Sequence, residues 1–284
     1  MGSLDGRVAV ITGAGRGIGR QHALLLAAEG ARVVVNDIDC DAAEAVRAEL
    51  AEVGAEAIAV ALDCADWDGG RTLVAAAVES FGSLDVLVNN AGILRDRSVA
   101  KMTENEWDDV LRVDLKGHFV PTRWAAEYWR AEHKAGRPRE ARLIHTSSTS
   151  GLVGNPGQSN YGAAKAGVAA FAAICAQELG RYGVRSNCVC PSARTRLSET
   201  APGVGDMIAA PVDDRFDVWD PANISPLVAY LASAACSFTG TTFFVQGGAV
   251  KLVTPWAFGE GLERDGRWSV GELTEALESL ATRA

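Results

Sequence analysis

The chain has 284 residues, 48% of them hydrophobic, enough to bury one large core. A formal charge of −9 and an isoelectric point near 5.0 argue against general affinity for nucleic acid or for an anionic membrane. No apolar run reaches the roughly 18 residues of a membrane span, and Met1–Gly6 lacks the basic and apolar regions of a signal peptide, so the expected location is the cytoplasm.

Strand-like and helix-like runs alternate from the first residues. Arg7–Thr12 is a β-branched apolar run, followed by a glycine-rich turn and a helix to Glu29 closed by Gly30. Arg32–Asp37 predicts a strand, Cys40–Val53 a helix, Ala57–Leu62 a strand, and Asp66–Phe81 a helix closed by Gly82. Leu84–Asn89 is the fourth strand, and Thr103 with Glu106 forms a capping box opening one long helix towards Ala135. Then come a strand at Arg142–Thr146, a helix at Gln158–Tyr182, a strand at Val184–Cys190, a helix at Pro221–Ala235 and a final strand at Thr241–Gln246. Strands apolar on both faces and separated by helices imply an α/β fold: a single-domain, doubly wound parallel sheet of Rossmann type, with helices on both faces. The expected division is 1–248 for this domain and 249–284 for a C-terminal extension.

Three groups of residues carry chemistry. Thr12–Gly19 joins the first strand to the first helix, and Gly13, Gly17 and Gly19 give a G-x-x-x-G-x-G pattern with Arg16 and Ile18 between. Such glycines permit a tight turn and close backbone approach to a pyrophosphate at a helix N-terminus. Asp37 ends the second strand, where a carboxylate accepts hydrogen bonds from ribose hydroxyls and repels a 2′-phosphate, pointing to NAD rather than NADP. Arg16 pulls the other way, since it can pair with that phosphate. Asp63 ends the third strand, placed to hold the adenine amino group or to cap the next helix, and Cys64 beside it is assigned to the same pocket. Tyr161 and Lys165, spaced i,i+4, share a helix face. An ammonium beside a phenol favours the phenolate, so the expectation is a lowered tyrosine pKa suited to proton exchange with an alcohol or carbonyl. Cys188 and Cys190 project to one face of a strand with no partner pair at ligand spacing. Buried free thiols are therefore favoured, and no metal is expected.

Together these motifs resemble the short-chain dehydrogenase/reductase family from about Val8 to Gly248. The family's Asn-Asn-Ala-Gly motif is Asn89-Asn90-Ala91-Gly92, its serine corresponds to Ser148, and its Tyr-x-x-x-Lys motif is Tyr161 with Lys165. The resemblance implies nicotinamide-dependent hydride transfer between alcohol and carbonyl, in a protein that is often tetrameric. It implies that Ser148 donates to the reacting oxygen, Tyr161 passes the proton, and Lys165 holds the nicotinamide ribose. Asn90, Ala91, Gly92, Pro191 and Thr195 fall at its cofactor positions. Three positions depart from the family pattern. Asp114 stands where an asparagine usually supports a water in a proton relay behind the lysine. An aspartate brings negative charge towards Lys165 and cannot donate, but a water supplies donors, so the relay is expected to survive. Ser192 replaces a glycine beside the nicotinamide, and Gln246-Gly247-Gly248 replaces Asp-Gly-Gly.

Arg194–Trp219 is expected to cover the substrate, with Leu197, Val204, Met207 and Ile208 as an apolar inner face or as a surface loop resting on the core. Arg95, Arg97 and Lys101 lie near the expected pocket mouth, to meet the phosphates of coenzyme A or simply to be solvated. The tail, with a Ser269–Glu272 capping box opening a helix at Ser269–Leu280, resembles the hydroxyacyl-CoA and steroid dehydrogenase branch. It is expected to pack on its own domain or on a neighbouring subunit of a homodimer or homotetramer. The resulting expectation is an NAD-dependent dehydrogenase of an acyl-CoA or steroid substrate. The alternatives are a reductase of small or aromatic ketones and a non-catalytic dinucleotide-binding scaffold.

Overall fold

The computed structural model describes residues 2–195, 208–211, 215–254 and 257–281. Strands β1 (Val8–Thr12), β2 (Arg32–Asp37), β3 (Ala57–Ala61), β4 (Val86–Asn89), β5 (Arg142–Thr146), β6 (Arg185–Pro191), β7 (Thr242–Gln246) and β8 (Ala249–Val253) form one sheet. Their order is β3-β2-β1-β4-β5-β6-β7-β8. The first seven run parallel, and β8 pairs antiparallel with β7. The order reverses between β1 and β4, which opens a crevice at the carboxyl ends of these strands, where doubly wound sheets bind ligands.

Helices α1 (Gly17–Ala28), α2 (Cys40–Glu52), α3 (Trp67–Phe81), α4 (Glu104–Val110), α5 (Gly117–Lys134), α6 (Thr149–Val153), α7 (Ser159–Leu179) and α8 (Ser225–Ala232) connect the strands. Alternation along β1 shows why both faces are covered. Ala9 and Ile11 pack into one core layer with Leu26, Val46 and Leu231 from α1, α2 and α8, whereas Val8 and Val10 pack into the other with Leu73, Trp129 and Cys175 from α3, α5 and α7.

Three elements differ from the sequence expectation. The long helix expected from Thr103 does begin at a full capping box with Glu106, but it is interrupted by a π-helical turn at Leu111–Lys116 before α5. Pro121 lies inside α5, four residues after Gly117, and has no N–H for the Gly117 carbonyl. The short helix α6 was not expected; Ser148 caps it by accepting from Ser150 N at 3.2 Å. Finally, β8 extends the sheet beyond Gly248. Contacts divide the chain into residues 1–253 and 254–284. The second unit contains α9 (Val270–Ala281), opened by the Ser269–Glu272 box, with Glu272 N donating to Ser269 Oγ at 3.3 Å. Among the described residues no helix is long and apolar enough to cross a membrane.

Candidate active site

The turn between β1 and α1 is braced from β4. Thr12 Oγ1 accepts from Asn90 N at 2.9 Å and Ala91 N at 3.1 Å, while Asn90 Nδ2 donates to Thr12 O at 3.1 Å and Gly13 O at 3.2 Å. Asn90 therefore fixes the turn with its side chain. Gly13 has φ +63° and lies so close that an added Cβ would sit 2.8 Å from Ala91 Cα; at Gly19 the Gly13 carbonyl leaves only 2.2 Å. Gly17 has φ +54°, and a Cβ there would meet the Thr195 methyl at 3.8 Å, which puts Thr195 beside the turn, while Ile18 packs against the core. A left-handed turn with its backbone exposed at the N-terminus of a 12-residue helix fits a dinucleotide pyrophosphate.

At the end of β2 the Asp37 carboxylate is held from two sides. Oδ2 accepts from Gly15 N at 3.0 Å and Oδ1 from Asp39 N at 3.1 Å. Each oxygen retains a lone pair for a ribose hydroxyl. Arg16, the residue that argued for NADP, makes an ion pair with Asp39 at 2.6 Å. Asp63 does not cap α3; Asp66 does, accepting from Gly69 N at 2.8 Å. Asp63 instead accepts from Ala65 N at 2.9 Å and pairs with Arg112 at 2.6 Å across the sheet end. Cys64 is buried beside it, with a thiol pushed up to about 12 by burial and by Asp63. Of the six cysteines five are buried and free, while Cys40, the first residue of α2, is exposed.

The second cluster forms where β5 and α6 clasp α7. Lys165 is 2% exposed, and its Nζ donates to Thr146 O at 3.0 Å and lies 3.2 Å from Asp114 Oδ2. Ser147 Oγ donates to Lys165 O at 2.6 Å. A Cβ on Gly151 would fall 2.5 Å from the Ala166 nitrogen, so α6 can approach this turn of α7 only with glycine there. Lys165 Nζ sits 5.5 Å from the Tyr161 ring centroid. Asp114 is fully buried; its other oxygen accepts from Ile93 N at 2.8 Å. Gly92 completes the chamber, since a Cβ there would lie 2.8 Å from Asp114 Oδ2 and 3.3 Å from Lys165 Nζ.

Burial favours the neutral form of each group, and the charge pairs oppose it. The Asp114 carboxyl is raised by burial against the pull of Lys165 and the Ile93 N–H. Burial opposes the Lys165 ammonium, but Asp114 and then Tyr161 more than offset it, so Lys165 is held above its ordinary value. The Tyr161 phenol is raised, contrary to the expectation from the Tyr-Lys spacing alone. Burial is the largest cause; Lys165 and a hydrogen bond with Ser148 lower it, and Asp114 counteracts Lys165. The Tyr-Lys spacing alone carries neither this burial nor Asp114, whose charge towards Lys165 was expected from its place in the family pattern.

Several neighbours of this cluster escaped the sequence reading. Asn160, fully buried just before Tyr161, donates to Arg95 O at 3.0 Å and Glu106 O at 2.9 Å, tying the β4–α4 segment to the start of α7. Gln158 extends this tie to Asp96 at 2.9 Å. His118 and His145 stack behind Lys165 with Nδ1 atoms 3.3 Å apart. Burial and then Lys165 pull His145 down to about 3, and His118 also lies well below the ordinary value, so both stay neutral beside the lysine. An asparagine adjoining a catalytic-looking tyrosine was the only signal for this layer.

The expected pocket mouth is more neutral than its arginines suggest. Arg97 pairs with Glu106 at 2.8 Å, and Arg95 approaches Asp109 at 3.8 Å. Pro191 ends β6, and Ser192 N donates to Val245 O at 2.9 Å. Ile208 is buried, whereas Leu197, Val204 and Met207 lie outside the described residues.

A doubly wound sheet with a glycine turn at the switch point and a serine, tyrosine and lysine gathered beside it defines a nicotinamide-dependent oxidoreductase of the alcohol/carbonyl kind. The chain belongs to the short-chain dehydrogenase family, whose profile matches residues 7–201. It is 44% identical over 283 residues to the hydroxyacyl-CoA dehydrogenase ChsB1 of Mycobacterium tuberculosis, covering 96% of this chain and 88% of that protein. It is 41% identical over 258 residues to the peroxisomal multifunctional enzyme type 2 of Drosophila melanogaster, covering 87% of this chain and 40% of that longer protein. A short chain dehydrogenase from Mycobacterium avium has a crystal structure that superimposes with a TM-score of 0.90 at 46% identity, over 100% of this chain and 97% of that one.

Proposed function

We propose that this chain is an NAD-dependent dehydrogenase acting on the secondary alcohol of a 3-hydroxyacyl-CoA, with Tyr161 as general acid/base. The observation that carries the reading is the buried Lys165, positioned by Thr146 O and Asp114 with its ammonium over the Tyr161 ring. The bound nicotinamide supplies hydride chemistry. Ser148, capping α6 beside the tyrosine, donates to the substrate oxygen and orients it. Tyr161 takes the alcohol proton during oxidation and returns it to the ketone in reverse. Lys165 spends one donor on Thr146 and faces Asp114 with another, which leaves a third for the nicotinamide ribose. The direct Asp114–Lys165 contact replaces the water-bridged arrangement expected of an asparagine, so the relay behind Tyr161 begins at an ion pair.

Asp37 supports NAD, because both its oxygens are aimed by backbone N–H groups and a 2′-phosphate placed there meets a fixed negative charge. The name of one relative, a hydroxyacyl-CoA dehydrogenase, supports a hydroxyacyl-CoA over a steroid. The exposed Trp67, Phe119 and Ile174, on α3, α5 and α7, support assembly of subunits into a homodimer or homotetramer, which sedimentation of the purified protein measures. Steady-state assays of NADH formation with 3-hydroxyacyl-CoAs of increasing chain length, 3-hydroxysteroids and 17-hydroxysteroids test the substrate class. Turnover highest on the CoA esters is expected; turnover confined to steroids or small ketones overturns the assignment.

A further inference from the structure

Arg16 and Asp39 form a pair whose position bears on the adenosine end of the cofactor. Arg16 immediately precedes α1 and Asp39 immediately precedes α2, so two helix N-termini meet here beside Asp37. Asp39 is fixed three ways. Its Oδ1 accepts from Ala42 N at 3.1 Å as the cap of α2, its Oδ2 takes Arg16 at 2.6 Å, and its own N–H donates to Asp37 Oδ1 at 3.1 Å. Its carboxyl is held below the usual range by the Arg16 hydrogen bond and then by the Ala42 N–H.

Gly15 explains how the pieces come so close. A Cβ at Gly15 would lie 2.7 Å from the Ala42 side chain and 2.8 Å from Asp37 Oδ2. The turn between β1 and α1 is therefore seated directly on the carboxylate of Asp37 and the first turn of α2. Arg16 is the cation of this turn, and its planar donor fork suits a ribose 2′-phosphate. In this structure one arm of that fork, Nη2, donates to Asp39 Oδ2.

Resting on the NAD reading, we propose that Asp39 is a second determinant of cofactor choice: it holds Arg16 and thereby denies a 2′-phosphate its cationic partner in the turn. Asp37 contributes repulsion, and Asp39 contributes both repulsion and sequestration. Specificity built this way depends on a negative element as much as on an attractive one. The pair is solvent-exposed, with side chains 52% and 39% accessible, so its effect comes from competition for Arg16 rather than from a strong bond.

The charge-removing substitution Asp39→Asn keeps an oxygen to cap α2 and leaves Asp37 in place. Calorimetric titration with NAD, NADP, ADP and 2′,5′-ADP reads the effect without turnover. In Asp39→Asn the affinity for NADP and for 2′,5′-ADP rises about tenfold, or 1.4 kcal/mol, while that for NAD and ADP stays within about twofold. Adding Arg16→Ala to Asp39→Asn erases that gain. Wild type that prefers NAD, with no gain for NADP in Asp39→Asn or a gain that survives Arg16→Ala, overturns the role of Asp39 and leaves the NAD reading intact. Wild type that binds NADP as tightly as NAD overturns both.

Discussion

Replacing Asp114 by asparagine changes one charge and almost no volume, and the surroundings of the side chain set the consequences. At 3.2 Å and an effective dielectric of roughly 20, the Asp114–Lys165 attraction is about 5 kcal/mol, and it is set against several kcal/mol of desolvation for each ion. The pair is near neutral in net stability, but removing one partner is not. The introduced asparagine must keep its oxygen on the Ile93 N–H, which turns its amide hydrogens towards the Lys165 ammonium. Leaving that ammonium buried and unpaired costs about 3 kcal/mol, or roughly 6–12 °C in Tm, unless the lysine gives up its proton.

The sign comes from linkage. In wild type Lys165 is held above its ordinary value, so its contribution is full below the unfolded pKa and fades only as the pH rises through the folded one. In Asp114→Asn burial loses its largest opponent, with Tyr161 left as the next, and the lysine is depressed. The variant is then destabilised at neutral pH, and its deficit shrinks by up to about 1.4 kcal/mol per pH unit on the way to roughly pH 10. Urea denaturation of both proteins at neutral and alkaline pH measures this. Equal stability at neutral pH with parallel pH profiles refutes the reasoning. So does a rise in turnover above about tenfold, since that means the aspartate obstructs the relay rather than forming part of it.

Tyr161→Phe removes the proton carrier, so turnover is lost while NAD affinity by calorimetry stays near wild type; unchanged turnover removes Tyr161 from the chemistry. Because burial raises the phenol, difference titration of wild type against Tyr161→Phe without cofactor shows this tyrosine ionising above pH 10, and ionisation below the ordinary tyrosine value contradicts the dominance of burial over the Lys165 charge. Ser148→Ala removes a donor to the reacting oxygen and a contact that lowers the Tyr161 pKa, lowering kcat by about 100-fold or more; a loss under about threefold argues that the serine only caps α6. Asn160→Ala leaves the carbonyls of Arg95 and Glu106 without their donor, destabilises the protein by about 1–3 kcal/mol in urea and lowers kcat; a fully stable, fully active variant refutes its clamping of α7.

The strand and helix order was legible because the strands at the centre of the sheet, β1, β2 and β4, are largely apolar on both faces and the segments between strands carry helical periodicity. The glycine turn, Asp37 and the Tyr161–Lys165 spacing carry their chemistry locally, and the structure brings them to the carboxyl ends of the strands. What depends on packing between distant segments was not legible. Asp114 lies in a π-helical turn that no hydrophobic period announces, though Pro121 marks a fault in that helix. That Asp114 brings charge towards Lys165 was expected, but its direct 3.2 Å contact comes from where that turn points the carboxylate, and the raised rather than lowered Tyr161 comes first from burial that the spacing does not show. The ambiguity of Arg16 was likewise undecidable along the chain, because Asp39 is 23 residues away and meets it only when α2 docks against the turn. β8 was read as the start of the tail because its residues are exposed on an antiparallel edge and lack the double-sided apolar pattern of the inner strands.

The most direct test of the central claim is the rate of NADH formation from NAD and a 3-hydroxyacyl-CoA by wild type and by Tyr161→Phe, prepared and assayed side by side. Robust turnover by wild type, absent in the variant with its NAD binding retained, is the predicted result. No NADH from any 3-hydroxyacyl-CoA, together with no oxidation of NADH by the matching 3-ketoacyl-CoA, contradicts it.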